Sequence, residues 1–276
     1  PSERSCITVV GKPIVQPHQF FGRTTLLGKI RWAWNKDIPE HLVVIGPRRS
    51  GKTSLLNYLK NLLQADFRRP GQPQGWDGWL PRNFQFVLVD FQKEVMWRPD
   101  GFRKEVLQQL QTKESSEPPT AEHFADTLKG QIGLKTVILM DEFNVGWERL
   151  SEDFWLNMRA LGASGNVSFM LASSKNFAEL VAKNQSQSSP FFNIFAHTLT
   201  LGPFTDSEAR ELIACSPTPL KEVEWMLQES HGWPALLQLL CDTQLQALET
   251  GEQDWQEEGL RRLKGEYYRH LLELPG

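Results

Sequence analysis

Gly46-Pro-Arg-Arg-Ser-Gly51-Lys52-Thr53 constrains this chain more than any other stretch of its length. The pattern G-x-x-x-x-G-K-[ST] demands a strand before it and a helix after it, and both are written in the flanks. Leu42-Val-Val-Ile45 is a short β-branched run that stops at Gly46, and from Ser54 apolar residues recur at helical spacing through Leu55, Leu56, Leu59, Leu62 and Leu63. Glycines in such a loop let backbone N–H groups wrap phosphate oxygens at a helix N-terminus, where the helix dipole also favours an anion. Lys52 is placed to bridge the β- and γ-phosphates of a nucleotide, and the Thr53 hydroxyl to ligate Mg²⁺. The candidate cradle is the whole loop, Gly46, Pro47, Arg48, Arg49, Ser50, Gly51, Lys52 and Thr53, with Ser54 at its exit.

Further strands are expected at Phe84 to Asp90, Thr136 to Asp141, Val167 to Ser173 and His197 to Leu201, each short and apolar. Helical patterns or long connections separate them, and that alternation predicts an α/β chain with a parallel sheet covered on both faces. Residues 67–82, rich in Gly and Pro with Trp76 and Trp79, read as a surface loop, and Lys113 to Thr120 and Asn184 to Pro190 as polar connectors. After Pro203 the strand signals cease. Helices are expected over Asp206 to Cys215, Leu220 to Glu229, Pro234 to Leu248 and Asp254 to Leu274, the last with Leu260, Leu263, Tyr267, Leu271 and Leu274 as one apolar stripe. The domains expected are an N-terminal segment 1–37, an α/β core 38–203 and an all-helical module 204–276.

Composition removes several classes. With 40% hydrophobic and 23% charged residues the chain is ordinary globular material. Its longest apolar runs are strand-sized, far short of the roughly 18 residues of a membrane helix. PSERSCITVV carries no signal-peptide pattern, and the three cysteines, Cys6, Cys215 and Cys241, are too scattered for a disulfide framework or a metal knuckle. A cytoplasmic location fits all of this. A net charge of -3 lacks the basic excess of many nucleic-acid binders.

Val137-Ile-Leu-Met140-Asp141-Glu142 is an apolar strand that ends in two carboxylates, which puts them at the carboxyl edge of the sheet, where open α/β folds bind ligands. Asp141 is placed to hold Mg²⁺ or its water shell, and Glu142 to orient and polarise an attacking water. An N-cap cluster for the following helix is the structural alternative for this pair. Ser173 and Ser174 close another strand; should it lie between the loop strand and the acidic strand, a hydroxyl there can report the γ-phosphate.

These elements resemble the AAA+ ATPases of the STAND type, signal transduction ATPases with numerous domains, close to archaeal-type ATPases and to origin-recognition proteins. The resemblance covers roughly residues 18 to 250. It rests on Phe21-Gly22-Arg23, the loop GPRRSGKTSLL, the stretch ILMDE, the strand FMLASS, Leu201-Gly-Pro-Phe204 and His231-Gly232-Trp233-Pro234. It implies a P-loop fold with a five-stranded sheet of order 5-1-4-3-2 and a helical lid. By the same resemblance Phe21, Gly22 and Arg23 lie against the adenine, and Gly232 and Pro234 reach the nucleotide from the lid. Where relatives often place an arginine, this chain has FFNIFA, so no arginine finger carries over there; Arg48, Arg49 and Arg159 are candidates by position alone.

The reading that follows is a switch that binds ATP or ADP with Mg²⁺ and hydrolyses slowly, with Glu142, Lys52, Ser173 and Ser174 as its catalytic residues. Its nucleotide state would control lid position and association with itself or a partner protein in signalling or defence. The main alternative is a DNA-associated ATPase of the origin-recognition or transposition-helper kind. A nucleotide-binding scaffold that never turns over and a small-molecule kinase rank below both, the first because Glu142 is present, the second because the C-terminal part is helical.

Overall fold

Aliphatic and β-branched runs set five strands, β1 (His41–Ile45), β2 (Phe84–Asp90), β3 (Lys135–Asp141), β4 (Val167–Ser173) and β5 (Phe195–Thr200). The structure, a computed structural model, describes residues 9–64, 83–112, 118–174, 179, 190–265 and 268–272. The expected loop at 67–82 lies outside them, and the connectors at 113–120 and 184–190 lie largely outside them.

All four strand pairings are parallel and the order is β2-β3-β4-β1-β5, the sheet expected from the resemblance. Burial follows position in that order. Every residue of β4, and every residue of β3 after Lys135, is buried, because helices cover both faces of a central strand. The edge strands β2 and β5 mix buried with partly or fully exposed positions. β5 starts two residues earlier than the sequence suggests, since Phe195, at the end of the FFNIF run, pairs with His41 of β1.

Two compact units share the chain: Thr25–Gly46 with Pro73–Thr200, and Pro1–Thr24 with Pro47–Gln72 and Leu201–Gly276. The first contains the sheet. Around it lie α1 (Thr24–Trp34), α3 (Pro99–Gln109), α4 (Ala121–Lys129), α5 (Phe143–Arg149) and α6 (Glu152–Gly162), with α2 (Lys52–Asn61) belonging to the other unit. Their common core is aromatic: Phe102 meets Phe154 edge-on at 5.1 Å, Phe143 meets Trp155 at 5.2 Å, and Trp155 lies 5.0 Å from Phe191. Such contacts add about 0.5–1.5 kcal/mol per pair beyond burial and fix ring orientations. The packing around α5 leaves no slack, since a Cβ on Gly146 would stand 2.5 Å from the Phe91 ring.

The second unit contains α2 and five C-terminal helices, α7 (Asp206–Ala214), α8 (Val223–Ser230), α9 (Pro234–Thr250), α10 (Trp255–Leu263) and the short α11 (Arg269–Leu272). α9 is the centre of the helical part, with Leu236, Leu237, Leu239 and Leu240 all buried, so it is apolar on more than one face and packs against α7, α8 and α10. Thr205 and Glu208 form a capping box that starts α7. The single long helix expected over Asp254 to Leu274 is instead broken. α10 ends at Leu263, the chain turns at Lys264 and Gly265, and Leu271 on α11 returns to the same core fully buried. Of the expected stripe, Leu263 and Leu271 are buried and Leu260 packs at the core's margin, while Tyr267 and Leu274 lie outside the described residues. No helix among the described residues is long and apolar enough to cross a membrane.

Candidate nucleotide site

The loop of Gly46 to Thr53 leaves the end of β1 and turns into α2 through two residues in the left-handed region, Arg49 (φ 65°) and Gly51 (φ 99°). Nothing lies within 4 Å of the space a Gly51 Cβ would occupy. Gly51 is the N-cap of α2 and supplies no side-chain cap, and the first turn holds no acidic residue. The opening N–H groups of a helix lack partners within it, so this terminus is built to receive an anion. Ser50 is fully buried, and its Oγ has no hydrogen-bond partner among the described residues. An unpaired buried hydroxyl costs about 1–3 kcal/mol, a deficit that an accepting phosphate oxygen would remove. The loop therefore fits a phosphate on three independent grounds.

Lys52 is 5% exposed, and its Nζ donates to the Pro47 carbonyl at 2.8 Å, so the ammonium lies folded over the loop. Ser54 behaves differently from the residues before it: its Oγ accepts from the Ile14 N–H at 3.0 Å. Asn57 and Asn61 donate to the Ile14 and Val15 carbonyls, which fastens the N-terminal segment along α2. Phe20 packs against Tyr58 of α2 with ring centres 4.4 Å apart and the planes tilted, and Phe21 is buried as well.

Arg23 is buried to 8% exposure and stands at φ 61°. Nη2 donates to the Ser50 carbonyl at 3.2 Å, Nη1 donates to the Pro203 carbonyl at 3.1 Å, and the guanidinium lies 4.7 Å from the Phe204 ring centre. Burial pushes its pKa down to about 10, partly offset by the Glu208 carboxylate, so the group stays charged at neutral pH. Glu208 uses both oxygens, accepting from the Thr24 N–H through Oε1 and from the Thr205 N–H through Oε2. Gly22 has to be glycine here: its φ is 61°, and a Cβ would come within 2.9 Å of the Glu208 side chain. Farther along, the Phe204 N–H donates to the Gly232 carbonyl at 2.8 Å, and Pro234 occupies the first turn of α9 after the buried Trp233.

In the sheet-bearing unit, β1, β3 and β4 run parallel, so their carboxyl ends share one edge. β4 lies between β1 and β3, with Ile45 opposite Ser173, Met140 opposite Leu171 and Asp90 opposite Asp141. This is the strand placement on which the expectation for a hydroxyl at the end of β4 depended. Ser173 is buried with its Oγ 3.5 Å from Asn144 Oδ1, while Ser174 is the more exposed residue just past the strand. Asp141 is 4% exposed and accepts from the Glu142 N–H at 3.1 Å. Glu142 is the N-cap residue of α5 with φ 48° and ψ 43°, and its carboxylate makes no capping bond. The N-cap cluster is thus half right, since Glu142 holds the position and its side chain does not serve it. A non-glycine residue in this region carries a cost of about 1–2 kcal/mol, a form of strain that gathers at functional sites.

Of the positional arginines, Arg159 is exposed on α6 and Arg48 is exposed in the loop. Arg49 instead lies 4.9 Å from the Tyr268 ring centre, and the Arg48 carbonyl is 3.0 Å from His270 Nε2. Four residues of the site's surroundings were not singled out from sequence: Asn144, Glu208, Tyr268 and His270. Glu208 had a signal in the T-x-x-E spacing after Phe204. The other three had none, because their partners are remote or backbone atoms.

A family model described as an AAA domain matches residues 38–181, just over half of the chain. No curated protein is similar enough in sequence to match. Among solved structures the chain resembles a Walker-type ATPase of Pyrococcus abyssi, with TM-score 0.65 and 17% identity over 95% of this chain and 78% of that one. It also resembles the ORC2 protein of Aeropyrum pernix in ADPNP-ADP complexes, with TM-score 0.66 and 10% identity over 95% and 70% of the two chains. The ORC1 protein of the same organism, in complex with DNA, gives TM-score 0.59 and 14% identity over 90% and 67%. At these identities the likeness is one of fold. Together with the glycine-framed loop, the acidic end of β3 and the sheet order, the matched family model shows that this chain belongs to the AAA domain family of P-loop ATPases.

Proposed function

We propose that the chain binds Mg-ATP and hydrolyses it to ADP and phosphate, and that the hydrolysis serves a DNA-associated machine of the origin-recognition kind. The observation that carries ATP binding is the phosphate loop itself: a helix N-terminus whose N-cap glycine supplies no side-chain cap, a left-handed Gly51 facing open space and a buried Ser50 hydroxyl with no hydrogen-bond partner among the described residues. Lys52 would leave Pro47 for the phosphates and neutralise charge that grows on them in the transition state. Mg²⁺ would be held by Thr53 and Asp141 and would offset the charge of the phosphate oxygens. Glu142 accepts the proton of a water whose oxygen bonds to the γ-phosphorus. The bridging P–O bond breaks and its electron pair leaves on ADP. Ser173, with Asn144 beside it, reads whether the γ-phosphate is present. Phe21 and Pro234 belong to the surroundings of the base and the lid.

The choice of output rests on likeness over most of the chain to an origin-recognition protein in complex with DNA. A signalling switch of the STAND type is the second reading, favoured by the net charge of -3 and pI near 6.1, which give no general attraction to phosphate backbones. In that reading the ATP form associates with itself or with a partner protein. Calorimetric titration with Mg-ATP tests the first claim. Lys52→Ala is expected to weaken binding at least about 100-fold with the melting transition kept, and unchanged affinity would remove the loop from the mechanism. Duplex DNA titrated at 50 and 200 mM salt separates the outputs. Affinity falling by roughly a thousandfold supports the DNA reading, and no binding at low salt in either nucleotide state refutes it.

A further inference from the structure

Four short stretches scattered through the sequence meet in a single line of contacts within one unit. From the phosphate loop, the Ser50 carbonyl accepts from Arg23; the same guanidinium reaches the Pro203 carbonyl and lies over Phe204; and the Phe204 N–H is bonded to the Gly232 carbonyl at the entry to α9. We propose that Arg23 is a positioning residue that couples the occupancy of the phosphate loop to the position of the lid helices, in place of a direct ligand of the base. The inference rests on the reading that the loop receives the phosphates of ATP.

The chemistry is specific to this side chain. A guanidinium is a planar fork of five donors, so one group can hold two carbonyls 27 and 180 residues away in sequence at a fixed angle while its face rests on an aromatic ring. A lysine has the charge without the fork. Because the group is buried, water cannot replace a bond it loses, and a shift of the Ser50 carbonyl has to be followed by the guanidinium or leave a buried charge underpaired. On the lid side the guanidinium has two grips, the Pro203 carbonyl and the Phe204 ring. The next link is equally tight, since a Cβ on Gly232 would stand 2.9 Å from the Phe204 carbonyl oxygen and Gly232 is at φ 71°. A second tie runs beside the first: the Thr24 N–H, one residue on, is bonded to Glu208 in the first turn of α7. When phosphate entry draws the Ser50 hydroxyl and its peptide inward, Arg23 passes the displacement to Pro203 and Phe204, and Phe204 passes it to the start of α9.

Hydrogen–deuterium exchange on the full chain, with and without Mg-ATP, tests this at three lid amides. These are Phe204, bonded to Gly232, Trp233, bonded to the Ser230 carbonyl, and Leu237, bonded to the Trp233 carbonyl. In the wild type ATP should slow their exchange by a factor within roughly 5–150, the usual span of coupling between sites. Arg23→Lys should still bind ATP, within about tenfold of wild-type affinity by calorimetry, and lose the slowing to less than about twofold. Gly232→Ala, which leaves Arg23 and the loop untouched, should produce the same loss from the other end of the line. Wild-type slowing preserved in both variants, with ATP bound, overturns the coupling role and leaves the ATP reading standing. Failure of the wild type to bind ATP at all overturns that reading and this inference together.

Discussion

The phosphate loop and the acidic end of β3 are held in place by different physics. Asp141 and Glu142 follow a strand buried along almost its whole length, and the helix they open presses Phe143 and Trp147 into the aromatic core. Their position is a matter of volume. Gly46 to Thr53 depends instead on directed polar contacts from far away: Arg23 on the Ser50 carbonyl, Tyr268 on the Arg49 guanidinium, His270 on the Arg48 carbonyl. Packing forces are short-ranged and cooperative, so a packed site resists polar changes and fails by overfilling or cavities. A bonded site fails one partner at a time, and can also be moved one partner at a time. The part of the molecule that must respond to a ligand is the part held by bonds.

The largest effect should come where chemistry alone is removed. Glu142→Gln keeps the size of the side chain and cannot take a proton, so phosphate release should fall by about 100- to 10,000-fold with ATP affinity and melting temperature little changed. A wild-type rate would show that another base acts and that the packed end of β3 serves only to bind. Next, Gly146→Ala puts a methyl group 2.5 Å from the Phe91 ring, and the overpacking should cost about 1–3 kcal/mol in urea denaturation. Stability unchanged by this substitution would mean that the core yields, and the contrast between the regions would lose its basis.

The smallest expected effect concerns pH and the sheet-bearing unit. His41 Nδ1 accepts from the Phe169 N–H at 3.0 Å, an arrangement open only to the neutral ring. Burial pushes its pKa down from 6.5 to about 4, opposed weakly by a bond with the Gly162 backbone. The unfolded chain therefore binds a proton that the folded one refuses. The stability in question is whole above pH 6.5 and is lost as pH falls through 6.5 towards 4. At 1.36 kcal/mol per unit, and with the ring only partly buried, the loss should be about 1–2 kcal/mol. Denaturation of the wild type and of His41→Leu at pH 7.5, 5.5 and 4.5 isolates it, and parallel pH slopes would assign acid sensitivity to other groups.

What the sequence shows follows the same division. Phe84 to Asp90 and Val167 to Ser173 are strands to the residue, because the apolar runs that announce them are the surfaces they bury. The break between α10 and α11 was hidden by the same signal: Leu263 and Leu271 enter one core whether or not a helix joins them, so apolar spacing reports burial and says nothing of the turn at Gly265. The cradle motif was legible as eight adjacent residues. Of its supports, Arg23 was legible as a residue in Phe21-Gly22-Arg23 but not in its contact with the loop, and His270 not at all, since both act on backbone carbonyls and a carbonyl has no letter in the sequence.

The bond between His270 and the Arg48 carbonyl joins residues 222 apart, and the one between Arg23 and Pro203 joins residues 180 apart. Synthesis runs from the N-terminus, so Arg23 and the motif are made before Pro203, Tyr268 and His270. Contacts of such separation also carry the largest closure entropy and form slowly. The phosphate cradle therefore gains the His270 contact only once that residue has been made, long after its own residues. A chain stopped before residue 268 would spell the motif in full and lack two of the contacts that hold it, which makes a truncated protein a different object from a whole one whose lid has opened.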